Sequence, residues 1–67
     1  MTETNGHMNH PLVRAAWLRD GRTRKVVPLD DAASEVASVL RIDVATIRQM
    51  LAAGERVETG WSVWQRD

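Results

Sequence analysis

Two histidines, His7 and His10, stand three residues apart, a spacing that can hold a metal when both side chains share a helix face. They fall in a polar stretch with no helical period and no third ligand, so the pair reads as tail and no metal site is expected. Asp30 and Asp31 are adjacent carboxylates directly ahead of an apolar-periodic run, which makes them helix caps rather than an acid/base dyad. No Ser–His arrangement, nucleophile motif or Gly-rich phosphate loop occurs, and there is no cysteine. A chain of 67 residues forms one domain, and an enclosed substrate cavity is hard to build at that size. The expectation is a binding module, not an enzyme, with no catalytic residue and no cofactor.

Charge is the next chemistry to place. The chain balances nine cations against nine acids, but unevenly. Residues 1–29 carry Arg14, Arg19, Arg22, Arg24 and Lys25 against Glu3 and Asp20. Residues 30–67 carry Arg41, Arg48, Arg56 and Arg66 against seven acids, so the two parts are positive and negative by three charges each. The basic first part is the natural surface for an anionic partner. Zero net charge pulls the other way, since a domain that binds DNA strongly by itself has a clear basic excess.

An apolar fraction of 43% with 27% charged residues suits a folded globular domain rather than a disordered one. Apolar runs such as Ala15–Leu18 fall far short of the roughly 20 residues that span a bilayer. The N-terminus is polar and has no apolar signal region, which predicts a cytoplasmic protein with no membrane partner.

These residues need elements to position them. Residues 1–11 show no periodicity and read as a disordered leader, and 12–67 as a single small helix-turn-helix domain. Leu12–Arg19 and Arg22–Val27 flank Asp20-Gly21, a strong hairpin signal because Gly supplies positive φ without steric cost. Ala15 and Ala16 are poor strand formers, which leaves a short helix open as the start of the first arm. Pro28 ends the second arm.

An Asp N-cap at 30–31 then opens a helix whose apolar face is Ala32, Ala33, Val36, Ala37, Val39 and Leu40. Asp43 caps a second helix with Val44, Ile47, Met50 and Leu51 as its apolar positions, and Gly54 suits a left-handed C-cap. The tail reads as a short strand within Val57–Thr59, then Gly60, then Trp61–Trp64. With no Phe and no Tyr, the three Trp must supply the aromatic burial, and at least two are expected in the core. The fold class is α+β: an N-terminal β-hairpin, a helix-turn-helix and short C-terminal strands.

Two short helices across a three-residue turn are the mark of the helix-turn-helix. Ala37 sits where the helices must approach closely. Leu40 and Ile42 flank the turn and fill the space between the helices, and Ile47 faces the same pocket. Through Ala37, Leu40, Ile42 and Ile47 the segment Glu35–Leu51 resembles the helix-turn-helix of phage repressors. It departs at the turn, where Arg41 stands in place of the usual Gly, at a cost of about 1 kcal/mol. More widely, residues 13–65 resemble the small nuclease-associated modular DNA-binding domains, through that skeleton, the Asp20-Gly21 turn and Thr59-Gly60-Trp61.

The resemblance implies double-stranded DNA as partner and a regulatory role of phage or mobile-element type, with Asp43–Leu51 as recognition helix in the major groove. Val44, Ala45, Arg48 and Gln49 would then reach base edges: Arg48 suits guanine, Gln49 adenine, and Val44 or Ala45 a thymine methyl. Thr46 and the hairpin cations Arg22, Arg24 and Lys25 would contact phosphate. A homodimer or a larger protein partner would supply what one short helix lacks in buried area.

Plainer readings stand beside these. Arg48 and Gln49 also suit a solvated helix face, and cations on a hairpin protect a strand edge. Asp43 at the mouth of the groove and an exposed Val44 suit a surface that meets protein. The alternative function is therefore a protein-interaction module, a phage inhibitor or adaptor on the same scaffold.

Overall fold

The computed structural model describes residues 11–67; of the expected leader, residues 1–11, only Pro11 is described, and it is held by the fold through its carbonyl, while His7 and His10 lie outside the described residues. Six elements follow in order: β1 (Leu12–Trp17), β2 (Thr23–Pro28), α1 (Leu29–Leu40), α2 (Val44–Ala52), β3 (Val57–Glu58) and β4 (Ser62–Arg66). The strands form one antiparallel sheet in the order β2-β1-β4-β3, so the fold is α+β.

β1 is a strand despite its alanines because it lies between two partners. Val13 pairs with Val27 on one side and Arg66 on the other, and Ala15 pairs with Lys25 and Trp64. Val13 and Ala15 are buried while Leu12 and Arg14 face out, the alternation of a half-buried strand. Ladder bonds on both edges outweigh a weak intrinsic preference.

The connection from β1 to β2 is wider than a two-residue turn. Only Gly21 takes positive φ (71°), so Asp20 does not adopt the left-handed conformation that a tight Asp-Gly hairpin needs. The Trp17 carbonyl accepts from the Gly21 amide at 2.7 Å, and Asp20 Oδ1 accepts from the Arg22 amide at 2.9 Å. A bulge between Ala15 and Ala16 places Arg24 as an extra residue in β2.

α1 starts one residue before Asp30, which corrects the expected cap. Pro28 occupies the N-cap, where it can make no side-chain hydrogen bond, and Asp30 and Asp31 lie in the first turn. The Leu29 amide is satisfied by the Pro11 carbonyl at 2.9 Å. The acids still face the positive end of the helix.

The core gathers Val13 and Ala15 with Leu29, Ala32, Ala33, Val36 and Ala37 from α1, Ile47 and Leu51 from α2, and Val57 and Trp64. Small residues on α1 let the helices approach the sheet and each other closely. Three expectations fail here. Val39 is exposed, and Ile42 is 44% exposed instead of filling the space between helices, whereas Val44 is exposed as its place among the base-contact candidates requires. Of the three Trp, only Trp64 is buried; Trp17 is half-buried and Trp61 is 53% exposed.

Both helix ends use left-handed residues. Gly54 (φ 85°) closes α2, with the Glu55 amide on the Met50 carbonyl at 2.9 Å and the Gly54 amide on Leu51 at 3.0 Å, the paired bonds of a Schellman motif. Arg41 ends α1 at φ 59°, ψ 42°, and the Ile42 amide reaches the Ala37 carbonyl at 3.1 Å. Arg41→Gly is expected to stabilise the domain by about 1 kcal/mol, because the Cβ penalty disappears. Thermal melting by circular dichroism should show a rise of roughly 4–8 °C. An unchanged or lowered midpoint would mean that the left-handed turn is not strained.

Candidate nucleic-acid interface

α2 is positioned from behind. Ile47 and Leu51, one turn apart, are fully buried, and that fixes the rotation of the helix. Val44, Ala45, Arg48 and Gln49 are consequently all exposed, so the structure brings the four base-contact candidates together on α2. Thr46, the phosphate candidate of this helix, is exposed in its first turn.

Asp43 caps α2 as expected. Its Oδ2 accepts from the amides of Ala45 at 3.1 Å and Thr46 at 3.3 Å, a cap worth about 1 kcal/mol. The same bonds occupy amides that a phosphate would otherwise use at a helix N-terminus. The backbone here therefore offers little to an anion.

Arg48 is engaged in a way the sequence did not indicate. Its Nε donates to Asp30 Oδ1 at 2.6 Å, tying α2 to the first turn of α1. Both side chains remain about 60% exposed (59% and 64%), so the pair is a surface one. A guanidinium carries five N–H donors, and this bond uses a single one of them.

The hairpin cations sit elsewhere. β2 is the sheet edge beside α1, while α2 lies against α1 and β4, with β1 between those two strands. At about 4.8 Å per strand step, β2 and β4 lie roughly 10 Å apart in the sheet. Arg24 stacks 4.5 Å over the Trp17 ring. Lys25 donates to Glu35 Oε1 at 2.7 Å and lies 5.6 Å from the Trp64 ring. Arg22 is exposed in the connection itself. Two of the three cations thus face tryptophans as well as solvent.

No family model, curated protein or solved structure matches the chain.

Two features were missed from the sequence. Asp30 had a signal only as a cap, because a contact 18 residues away in the chain has no periodic signature. The exposed Trp61 did have one: Thr59-Gly60 just ahead of it marks a tight turn, and residues at turn tips are exposed. Among the described residues, no helix is long and apolar enough to cross a membrane, and no cluster of three or more His, Cys, Asp or Glu is placed to hold a metal.

Proposed function

We propose that the chain is a cytoplasmic, non-enzymatic DNA-binding module, of the accessory or transcription-regulating kind found in phages and mobile elements, with α2 in the major groove. The observation that carries this reading is the joint outward presentation of Val44, Ala45, Arg48 and Gln49 on a short helix braced by Ile47 and Leu51. Arg48 must exchange Asp30 for a base. An exposed ion pair contributes about 0–1 kcal/mol, whereas a bidentate arginine–guanine pair discriminates by about 1–3 kcal/mol, so the exchange favours the base. Thr46, Arg22, Arg24 and Lys25 supply phosphate contacts around it.

The test is fluorescence anisotropy on a mixed-sequence duplex of about 20 base pairs, followed through a salt series. Counterion release makes log K fall linearly with log salt, by about 0.9 for each phosphate neutralised. Steep log-linear weakening is the expected result; no binding even at low salt would end the DNA reading. Asp30→Asn removes both the competitor for Arg48 and a negative charge. It is expected to tighten duplex binding about 3-fold, the equivalent of roughly 0.6 kcal/mol for a surface pair. Equal affinity in the variant would show that Arg48 does not leave Asp30 on binding.

A second reading rests on Val39, Ile42 and Val44, three exposed apolar residues grouped at the turn between α1 and α2. With Asp43 beside them they suit a protein partner, making the chain an adaptor or inhibitor. Partner binding that resists salt and is lost in Ile42→Ser would favour it over the DNA reading.

A further inference from the structure

The three tryptophans meet at the end of the sheet where β1 leaves for β2 and β3 turns into β4. Trp17 and Trp61 line two adjoining hollows on this end. The larger, about 650 Å³, is completed by Leu18, Arg19, Asp20 and Gly60. The smaller, about 270 Å³, runs back along the sheet to Arg24, Lys25 and Trp64. Neither uses any residue of α2.

Trp61 is exposed, yet its backbone is held from both sides. Thr59 and Ser62 are buried and close the turn: the Thr59 amide donates to the Ser62 carbonyl at 2.9 Å, the Ser62 amide donates to Thr59 Oγ1 at 3.2 Å, and the two hydroxyls lie 2.6 Å apart. Trp64 Nε1 donates to Ser62 Oγ at 3.0 Å, tying the turn to the core. Gly60 at φ 106° supplies the conformation that a side chain would resist. The Trp61 carbonyl accepts from the Leu18 amide at 3.0 Å, which joins the turn to the β1–β2 connection. A buried polar network of this kind fixes geometry. What it presents is a large indole in solvent, with a second indole beside it already covered by the Arg24 guanidinium.

We infer that this end of the molecule is a stacking site for single-stranded nucleic acid, with an unpaired base on Trp61 and the phosphates on Arg19, Arg24 and Lys25. Charge sets the sign of the partner: Arg19, Arg24 and Lys25 line the two hollows against Asp20 and Glu35, and of the two acids Glu35 is already paired with Lys25. The aromatic ring sets its class. An indole face is electron-rich and repels carboxylates, which disfavours an acidic peptide, whereas every nucleobase offers a π-face. A duplex keeps its base faces stacked inside, so only an unpaired strand can use Trp61. The Arg24 guanidinium, 4.5 Å from the Trp17 ring centroid, keeps N–H donors that phosphate oxygens can use. The site uses no residue of α2 and shares only Arg24 and Lys25 with the phosphate contacts proposed for a duplex, so Trp61 and Arg48 tell the two apart.

The test is a titration of a fluorescein-labelled oligothymidylate of about 12 nucleotides with the full 67-residue chain at low salt, read by anisotropy and by tryptophan emission. Binding with quenched emission is expected. Trp61→Ala should weaken it at least about 10-fold, in line with base stacking on an aromatic, while Trp61→Phe retains most of the affinity. Circular dichroism identical to that of the parent chain shows that the exposed position was changed without unfolding. Arg48→Ala should leave oligothymidylate binding unaltered, and Trp61→Ala should leave duplex binding unaltered, so the two sites succeed or fail separately. Absence of oligothymidylate binding overturns the inference. So does equal affinity in Trp61→Ala, or binding of an oligoglutamate of the same charge with the same dependence on Trp61.

Discussion

Ile47→Ala is expected to leave the chain largely unfolded. Ile47 is fully buried where α1, α2 and the sheet meet, and it is among the largest side chains with no solvent exposure. Truncation removes buried methyl and methylene groups and leaves a cavity, at a cost of about 2–5 kcal/mol. A core of this size supplies only about 3–5 kcal/mol in total, so the loss is comparable with the whole. Urea denaturation followed by circular dichroism should show little or no folded baseline. Ile47→Val should lose only about 0.5–1.5 kcal/mol and keep a cooperative transition. A parent-like midpoint in Ile47→Ala would mean that α2 is not docked through this residue, and the presentation of Arg48 and Gln49 would lose its physical basis.

Arg48→Ala is expected to weaken binding to a selected duplex by roughly 5- to 150-fold, the equivalent of about 1–3 kcal/mol, and to relax preference at one base pair. Arg24→Ala should weaken all duplexes alike and make the salt slope shallower by about 0.9, because a phosphate contact carries no sequence information. The measurement is anisotropy on a duplex enriched from a random pool, beside a scrambled duplex. Equal losses on the two for Arg48→Ala would remove Arg48 from base recognition and place it among the phosphate contacts. That outcome would leave α2 as a general anchor on DNA.

The surface around α2 explains why such binding should be modest in one copy. Asp43 occupies the first amides of α2, and Asp30 holds Arg48. Both contacts lower the attraction of this face for phosphate without closing it to base edges. A single module buries only about 600–1,000 Å², and a second copy or a larger partner would add the area and the cations that this face lacks.

Local chemistry is where sequence reading worked. The Asp43 cap, the Gly54 stop and the left-handed Arg41 depend on a few consecutive residues, and each lies where the pattern put it. The buried stripe of Ala32, Ala33, Val36 and Ala37 likewise follows from helical period alone. The start of α1 misled for a local reason as well: Asp30 and Asp31 are good caps, but Pro28 already has helix-compatible φ and lets the strand run straight into the helix.

The order of residues alone determined two helices, a reversal at Asp20-Gly21, a short turn between the helices and the inward positions Ile47 and Leu51, because periodicity and capping act over a turn or two. Only tertiary structure decided that Ala-rich β1 is a strand, since its stability comes from β2 and β4 on either side. It also decided that Trp64 enters the core while Trp61 stays in solvent, a choice made by the buried Thr59–Ser62 turn. The Arg48–Asp30 pair joins residues with no local relation. Contacts between distant parts of a chain arise from packing, and packing leaves no period to read.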